Sequence, residues 1–555
     1  MLVAASTKDG KLLWKKDCGV KDGAFPTEGG NVQLVIRPEG VYALGQARTN
    51  SLNSSYKLHP LTGEVLATFP GRDRCTRATG CFDTIFTRGG KGGSTAAFDV
   101  TSSEPRMGVI SPMRPACQDG VVTAHGYLFW GPWMCRCDMT QLGVISLGPG
   151  GKFDYTAKAN DADRLEVHAD PKLHMRAMVP GWLAYRRDNA RSTRITEPAP
   201  DQVKLAWTWT PTTPTLPTAP ILVDGRVILG GQDGIVRGID LAKGTLLWSA
   251  YTGGPMKYPP AFAHERLYVG SGDGYVYCLQ TDGALMWRFR AAPAERMIPV
   301  YGTLSSTWPV GGGVLVENGI VYAAAGISNH DGTHVYALDA KTGKIQWQQH
   351  SSAYKDDDLP MGGVSVQGPL LLHDKAIHFA SGNTPPIASY ALADGKFAGS
   401  EASRGKDLTI RNGKVVGSGY PLYWRPEDDQ FLSTMELETP AGVLVVGMPQ
   451  QNPSGVSELR LTQGGAKGKN VWSNPVFQEI AAVAIAKNAI IVTGLDREKK
   501  NVDKIRAGIV ALDINTGQPL WRYDLPATPT AWGLAVAGDR VIVTLMDGRV
   551  VAFAK

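Results

Sequence analysis

The feature that most constrains this sequence is a unit of four short apolar segments that recurs along the chain. Its clearest copy runs from Ala219 to Trp248, with turns at Asp224-Gly225, Gln232-Asp233-Gly234 and Ala242-Lys243-Gly244. Each turn carries a glycine, which adopts positive φ at little cost. The unit therefore predicts four short strands connected by tight turns.

The same unit recurs in strong and weak copies. The strong copies are Ala261–Phe289, Val314–Trp347 and Ala481–Trp521, and the weaker ones are Val32–Phe69, Phe82–Ile110, Gly120–Leu147, Val364–Phe397 and Gly442–Trp472. The 65 glycines and 36 prolines among 555 residues also favour many short strands joined by turns. We expect an all-β fold, a β-propeller of about eight four-stranded blades, with the weak copies leaving seven to ten open.

The two ends of the chain carry complementary parts of a blade. Leu534–Phe553 supplies three strands without a tryptophan-bearing fourth, and Gly10–Trp14 reads as a fourth strand alone. We predict a closed ring in which Val550–Phe553 lies next to Leu12–Trp14, because closure removes both exposed edges. The expected organisation is a single propeller over residues 1–555, with an irregular cysteine-rich region at 70–150 and a linker or insertion at 151–216.

Two of the strong copies end in the pattern Asp-x-x-Thr-Gly-x-x-x-Trp, at Asp339–Trp347 and Asp513–Trp521. This unit resembles the pyrroloquinoline-quinone (PQQ)-like repeat family, which includes quinoprotein alcohol dehydrogenases and the propeller lipoprotein of the outer-membrane assembly machinery. The resemblance covers nearly the whole chain. Two further strings, Tyr185–Ser192 and Trp287–Pro293, are similar to those of large bacterial PQQ-repeat proteins with no assigned function, and they carry no chemistry that can be named from sequence.

The resemblance also implies a test for a quinone cofactor. Family members that bind PQQ use an adjacent cysteine pair, a tryptophan floor and Glu, Asn or Asp ligands to calcium. This sequence contains no Cys-Cys pair and no Cys-x-x-Cys-His haem motif. We therefore expect neither PQQ nor haem, and no cofactor at all, with calcium, copper or zinc as the open alternative.

Two clusters are candidate metal ligands. Cys135 and Cys137 point to the same side if they lie on a strand, and soft sulfur ligands suit Cu(I) or Zn²⁺. The alternative is one or two disulfides among Cys75, Cys81, Cys117 and that pair, in an oxidising compartment. The second cluster is acidic, and its oxygens suit Ca²⁺, although a solvated surface run is the commoner explanation: Asp356, Asp357 and Asp358.

Loop lengths distinguish the two faces of the expected ring. With strands labelled A to D from the axis outward, the A–B and C–D turns are short, whereas the long links join B to C or D to A. We call the B–C and D–A side the loop face. Loops on a rigid scaffold usually carry binding and catalysis, so this face is the expected ligand site. Tolerated insertion is the alternative, because lengthening a loop costs little free energy.

One loop-face set combines charge with stacking surface. Arginine pairs with carboxylates or sulfates, and aromatic rings stack on sugars or other planar ligands. His330 and Tyr301 are the candidate catalytic residues, because an imidazole near the axis could act as a general base. We expect these side chains to face solvent, the alternative being a structural loop with internally paired charges. The candidate ligand-binding residues are Arg288, Arg290, Arg296, Tyr301, Trp308 and His330.

Charge and hydropathy exclude some partners. The net charge is +6 without a basic block, so nucleic acid is not expected. No apolar stretch is long enough to span a bilayer. The first residues lack a secretory signal, and Leu2–Trp14 reads as the end of a repeat. We therefore expect a periplasmic or secreted protein whose signal is not part of this sequence.

The leading functional hypothesis is an extracytoplasmic propeller that binds a protein or saccharide ligand through its loop face, without catalysis. A carbohydrate-active propeller, either a polysaccharide lyase or a hydrolase, is the first alternative. A quinoprotein dehydrogenase is the second. The sequence leaves open whether the protein is an enzyme.

Overall fold

In the structure, a computed structural model, the chain folds into two compact units. Unit 1 comprises Met1–Phe153, Pro299–Gly302 and Lys355–Gly362, and unit 2 comprises Asp154–Ile298, Thr303–Tyr354 and Gly363–Lys555. The residues described are 2–16, 32–45, 55–69, 71–72, 76–88, 95–101, 107–110, 120–131, 144–148, 158–169, 181–300, 302–327, 333–352, 364–381, 387–401, 405, 407–418, 432, 435–447, 457–465, 467–498 and 501–555. Whether residues 1–555 form a single ring stays a prediction.

Unit 1 is built of antiparallel sheets. The hairpin of β1 (Leu2–Ala5) and β2 (Leu12–Lys16) precedes three larger sheets. They contain β3 (Gln33–Arg37), β4 (Gly40–Leu44), β5 (Ser55–Leu58) and β6 (Val65–Phe69); β7 (Thr79–Gly80), β8 (Thr84–Arg88), β9 (Thr95–Asp99) and β10 (Met107–Ile110); and β11 (Val121–Ala124), β12 (Tyr127–Trp130) and β13 (Ile145–Leu147). The weak repeat copies of this region therefore form sheets in chain order.

Among the described residues, unit 2 contains seven sheets with four consecutive blade strands each, which we call blades 1 to 7; the sheet of blade 2 has a fifth strand, β14 (Leu165–Val167). Blades 1 to 4 are β16 (Ile221–Val223), β17 (Arg226–Leu229), β18 (Ile235–Asp240) and β19 (Leu246–Tyr251); β20 (Ala261–Ala263), β21 (Arg266–Gly270), β22 (Tyr275–Gln280) and β23 (Leu285–Arg290); β26 (Val314–Glu317), β27 (Ile320–Ala325), β28 (Thr333–Asp339) and β29 (Ile345–Ser352); and β30 (Leu371–His373), β31 (Ala376–Ala380), β32 (Ile387–Ala391) and β33 (Phe397–Glu401).

Blades 5 and 6 are β36 (Met435–Thr439), β37 (Gly442–Val446), β38 (Leu459–Gln463) and β39 (Lys469–Asn474); and β40 (Glu479–Ile485), β41 (Ala489–Glu498), β42 (Asn501–Asp513) and β43 (Pro519–Leu525). Blade 7 combines β44 (Pro529–Ala537), β45 (Arg540–Leu545) and β46 (Val550–Ala554) with the earlier strand β15 (Lys204–Trp209). The remaining elements are α1 (Asp161–Arg164), β14 (Leu165–Val167), β24 (Met297–Val300), β25 (Thr303–Ser306), and the hairpin of β34 (Asp407–Arg411) and β35 (Lys414–Ser418).

The fold is an all-β propeller, as the repeats predict. First strands of neighbouring blades lie against one another, since β44 contacts β40 on one side and β16 on the other. Strand β34 of the hairpin contacts β31 of blade 4 and β36 of blade 5. The last blade thus meets the first, and the first strands surround the axis of unit 2. The number of blades in the ring stays a prediction. Among the described residues α1 is the only helix, and its four residues are too few to cross a bilayer.

The strand that completes the last blade is not the one predicted. Strand β46 pairs with β45 on one edge and with β15 on the other, Trp209 lying opposite Val550. Strand β2, which includes Trp14, pairs with β1 instead. The prediction that Val550–Phe553 lies next to Leu12–Trp14 is therefore wrong. The completing strand lies within the expected linker 151–216, and its pattern, with two tryptophans, resembles the fourth strand of a blade.

The Asp-x-x-Thr-Gly-x-x-x-Trp pattern joins neighbouring blades. Its aspartate closes the C–D turn, since Asp339 Oδ1 accepts from the Thr342 backbone N–H and hydroxyl, both at 2.7 Å. Its glycine has a φ of +75° at Gly343, and a Cβ there would come within 2.8 Å of the Trp287 ring of the preceding blade. That tryptophan donates to the Ala340 carbonyl at 3.2 Å. The repeat thus forms an inter-blade contact.

The same contact closes the ring. Trp521 of blade 6 donates to the Pro200 carbonyl at 3.0 Å, just before β15, and Trp207 on β15 donates to the Leu241 carbonyl of blade 1 at 3.0 Å. Burial falls from the axis outward: Ile221–Val223 of β16 are fully buried, whereas Leu246, Leu247 and Tyr251 of β19 are exposed. The apolar faces of the inner strands therefore pack between blades and supply the core.

Candidate functional site

Residues 181–201, which we call the axial segment, run across the first strands of unit 2. Trp182 exchanges backbone hydrogen bonds with Leu222 of blade 1, and the Leu183 carbonyl accepts from the Phe262 N–H of blade 2. Farther along, the Thr193 carbonyl and the Ile195 N–H both pair with Ile485 of blade 6. A segment that bonds to first strands around the ring must lie at its centre.

Side chains of the axial segment reach blades 3 and 4. Asn189 Nδ2 donates to the Val316 carbonyl at 2.8 Å and to Glu317 Oε2 at 3.0 Å, at the A–B end of blade 3. Arg191 Nε donates to the Leu370 carbonyl at 2.8 Å, next to blade 4. Blades on opposite sides of the ring are therefore connected through one short stretch of chain.

The local conformation of the axial segment is costly and held by internal contacts. Four of its non-glycine residues have positive φ, a region that costs such residues of the order of 1 kcal/mol each: Arg186, Arg187, Arg191 and Thr193. The Asp188 carboxylate organises the turn, accepting from the Ser192 N–H at 3.0 Å and from Arg187 Nη1 at 3.1 Å. These contacts fix a backbone that the surrounding blades then enclose.

Five side chains meet around this turn and form what we call the axial cluster: Tyr185, Arg186, Tyr258, Asp407 and Trp532. The Arg186 guanidinium carbon lies 4.0 Å from the Trp532 ring centroid, and Nη1 donates to the Leu408 carbonyl at 2.9 Å. Trp532 Nε1 donates to Asp407 Oδ1 at 3.1 Å. The rings of Tyr185 and Tyr258 pack edge to face at 4.8 Å.

Burial dominates the electrostatics of the axial cluster. It raises the pKa of Tyr185 and of Tyr258 well above the ordinary phenol value, so both hydroxyls stay protonated at neutral pH. Burial also lowers the pKa of the Arg186 guanidinium, and it lowers that of Arg191 to about 10, with the nearby Asp188 carboxylate opposing the shift at both. The cluster and the neighbouring Arg191 thus combine neutral phenol groups with two buried guanidinium groups.

Two of the sequence-predicted ligand residues lie on the outer strand of blade 2. Arg288 forms an ion pair with Glu166 of β14, with Nε at 2.9 Å and Nη2 at 2.8 Å from the same carboxylate oxygen. Strand β14 adds to the outer edge of β23 at this point. Arg290 Nη1 donates to the Pro293 carbonyl at 3.2 Å. Both arginines are engaged by the chain itself.

The structure brings Arg296 and Trp308 together, although not as a solvent-facing pair. The Arg296 guanidinium carbon lies 4.4 Å from the Trp308 ring centroid, and its Nε donates to Thr307 Oγ1 at 2.9 Å. Trp308 is 0% exposed and packs in the core of blades 2 and 3. The expectation that Trp308 faces solvent is therefore wrong, because the loop folds its ring inward and lays an arginine over it.

The other candidates lie outside the described residues: Tyr301, His330, Cys135, Cys137, Asp356, Asp357 and Asp358. Of the two cysteines that the structure describes, Cys81 and Cys278, both are free thiols, and the predicted disulfide partners among Cys75, Cys117, Cys135 and Cys137 are not described. No group of three or more His, Cys, Asp or Glu side chains could hold a metal within the described part of the chain.

Sequence reasoning did not find the axial cluster. The stretch Tyr185–Ser192 is similar to one in large bacterial PQQ-repeat proteins, but it has neither the periodicity of the repeats nor a motif of known chemistry. The usable signal is the density of arginine in a stretch that interrupts the repeats, since such charges need partners when a propeller encloses them. Asp407 and Trp532 carry no signal, because only the closed ring brings their strands to the same axis.

Comparison with known proteins supports the repeat assignment. The family model described as "Outer membrane protein assembly factor BamB" matches residues 232–412 and 506–555. A curated relative, the outer membrane protein assembly factor BamB of Legionella pneumophila (strain Paris), is 23% identical over 207 residues, which cover 35% of this chain and 47% of that protein. The chain thus matches about half the length of this relative.

Solved structures of similar chains include the quinohemoprotein alcohol dehydrogenase of Comamonas testosteroni, 15% identical, covering 68% of this chain and 81% of that one with a TM-score of 0.46. A europium-containing methanol dehydrogenase is 11% identical, covering 68% of this chain and 98% of that one with a TM-score of 0.48. The blades and their inter-blade tryptophans show a β-propeller, and the match over residues 232–412 and 506–555 shows that part of this propeller is similar to the PQQ-like repeat family.

Proposed function

We propose that this protein is an extracytoplasmic scaffold that binds a protein partner through the loop face of its propeller. The observation that carries the proposal is the occupied axis of unit 2. Asn189 and Arg191 donate to carbonyl groups of blades 3 and 4, so these side chains hold the ring together and are not free for a substrate. The loops and outer blade surfaces then remain for recognition.

The similarity to an outer membrane protein assembly factor supports a protein partner and a periplasmic or secreted location. An assembly factor must bind other proteins, whereas a propeller enzyme usually places its chemistry in a concave pocket. In this chain the arginines expected to bind a ligand, such as Arg288 and Arg296, are held by Glu166 and Thr307. This favours binding through extended surface over a carbohydrate-active site.

We also propose that the protein does not use PQQ. A planar quinone needs an open aromatic face, and Arg186 covers a face of Trp532, the tryptophan that β44 places at the axis. The sequence has no adjacent cysteines to cover the other side. Titration of purified protein with PQQ and Ca²⁺, followed by its absorbance and by alcohol-dependent dye reduction, should show no binding and no activity. Stoichiometric binding would contradict this proposal.

Site-specific photo-crosslinking tests the scaffold function. A photoreactive residue would replace Glu295 or Pro526 on the loop face, with matched positions Lys243 and Asp539 in turns of the opposite face. All four residues are exposed, and none lies in the axial cluster. In cells that make the full-length protein, we expect discrete protein adducts at the loop-face positions alone. Adducts at Lys243 and Asp539 alone would overturn the face assignment, and polysaccharide adducts would favour the carbohydrate alternative.

A further inference from the structure

Two arginines of the axial segment are fully buried but differ in how their donors are satisfied. Arg191 donates to the carbonyls of Leu370, Tyr185 and Asp188. Arg186 is 1% exposed and donates only through Nη1, to Leu408. Its Nε and Nη2 are buried and have no hydrogen-bond acceptor among the described residues. A buried guanidinium with two unmatched donors is costly, so an acceptor is expected there.

The two unmatched donors form one functional edge. Nε–H and the adjacent Nη2–H of arginine point in parallel, which matches a carboxylate. Other arginines among the described residues use that edge: Arg288, Arg497 and Arg549 direct Nε and Nη2 to one oxygen of Glu166, Glu479 and Asp547, respectively. At Arg186 the same edge lies at the axis, and no carboxylate of the described residues accepts from it.

The Arg186 edge is held in a fixed orientation. The guanidinium stacks on Trp532 at 4.0 Å, and its Nη1 is bonded to Leu408 at 2.9 Å, so the plane cannot turn freely. The nearby Asp407 acts on its charge but does not accept from Nε or Nη2, and Asp407 Oδ1 receives the Trp532 N–H instead. The edge is therefore preorganised, which lowers the entropy lost on binding an anion.

Charge at the axis also favours an anion. Burial opposes the charged form of Arg186 and lowers its pKa, so an anion on its edge would stabilise the guanidinium. Neither nearby carboxylate fills that edge. Asp188 is bonded to Arg187 and Ser192, and Asp407 Oδ1 accepts from the Trp532 N–H. One further carboxylate would fill the Arg186 edge.

We propose that unit 2 binds the carboxylate of a small organic acid at its axis, with both oxygens or one oxygen accepting from Nε and Nη2 of Arg186. The ligand must be small, because the arginine is enclosed by the axial segment and the first strands. This site is independent of the proposed protein partner, since it uses the axis and not the loop face. The bound acid would stabilise the ring and would take no part in a catalytic reaction.

The test compares Arg186→Lys and Arg186→Gln with Arg288→Lys, which changes an edge already filled by Glu166. Purified proteins would be denatured, and released organic acids measured by mass spectrometry. In parallel, thermal unfolding would be followed with acetate, succinate or citrate against sodium chloride and sodium sulfate at equal ionic strength. Arg186→Lys keeps the positive charge and loses the parallel edge, so it serves if Arg186→Gln fails to fold.

We expect about one equivalent of a carboxylic acid from the wild type and from Arg288→Lys, or a carboxylate-specific rise in melting temperature after dialysis. Arg186→Lys should lose at least tenfold in affinity, since one bidentate contact is replaced by a point charge. The proposal is overturned if no acid is released and carboxylates stabilise no better than chloride or sulfate. It is also overturned if Arg186→Lys retains wild-type binding, because the edge would then play no part.

Discussion

The axial segment and the set formed by Arg288, Arg290, Arg296 and Trp308 are both rich in arginine and aromatic residues, yet they serve the fold differently. Each contains an arginine stacked on a buried tryptophan, at 4.0 Å for Arg186 on Trp532 and 4.4 Å for Arg296 on Trp308. The first connects blades across the ring, whereas the second closes a link between neighbouring blades. Composition alone does not separate a ring-wide contact from a local one, but the partners of each donor do.

The comparison predicts the largest loss of stability at the axis. Arg191→Ala removes hydrogen bonds to three carbonyls and leaves them buried, which should cost about 5 kcal/mol of unfolding free energy. Urea unfolding followed by tryptophan fluorescence measures this loss, with Arg290→Ala as the control on blade 2. Equal effects of the two changes would remove the distinction between the regions.

Trp308→Ala should come next, at about 4 kcal/mol, because the ring is fully buried and its removal leaves a large cavity. A solvent-facing ring, as expected from the sequence, would instead leave the melting temperature unchanged. Thermal unfolding of Trp308→Ala beside Trp308→Phe, which keeps most of the volume, distinguishes the two. An unchanged melting temperature in Trp308→Ala would restore the solvent-facing interpretation.

The inter-blade tryptophans predict a smaller effect. Trp347 donates to the Leu392 carbonyl of blade 4 at 2.8 Å, whereas Trp248 Nε1 has no acceptor among the described residues. Trp347→Phe should therefore cost about 1 kcal/mol more than Trp248→Phe, because only the first loses a hydrogen bond. Chemical denaturation of both variants gives the difference, and a larger loss for Trp248→Phe would contradict it.

The Arg288–Glu166 ion pair should contribute least. Both side chains are more than a third exposed, so solvent and salt screen the attraction, and Arg288→Ala should cost about 0–1 kcal/mol. A double-mutant cycle with Glu166→Ala, measured at low and high salt, isolates the pair. A coupling much above 1 kcal/mol that persists at high salt would mean that β14 is a structural part of blade 2 and not an addition to its edge.

The repeats predicted the blades well, because each depends on local turn chemistry and alternating burial that the sequence carries. The Asp339–Trp347 and Asp513–Trp521 patterns, for example, mark turns whose hydrogen bonds are formed within a few residues. Closure was assigned to the wrong strand, since Leu12–Trp14 and Lys204–Trp209 have equivalent patterns and only pairing distinguishes them. The axial cluster depends on strands far apart in sequence, and no local pattern encodes their meeting.

Hydrogen–deuterium exchange tests most directly whether residues 181–201 form the centre of unit 2. If they do, peptides covering Trp182–Ile195 should exchange as slowly as the first strands that they contact, such as Glu479–Ile485, because their amides open only when the ring opens. Mass spectrometry over minutes to hours gives both rates in one experiment. Exchange of Trp182–Ile195 within seconds, with Glu479–Ile485 still protected, would mean that this stretch is the linker expected from sequence and not the axis of the fold.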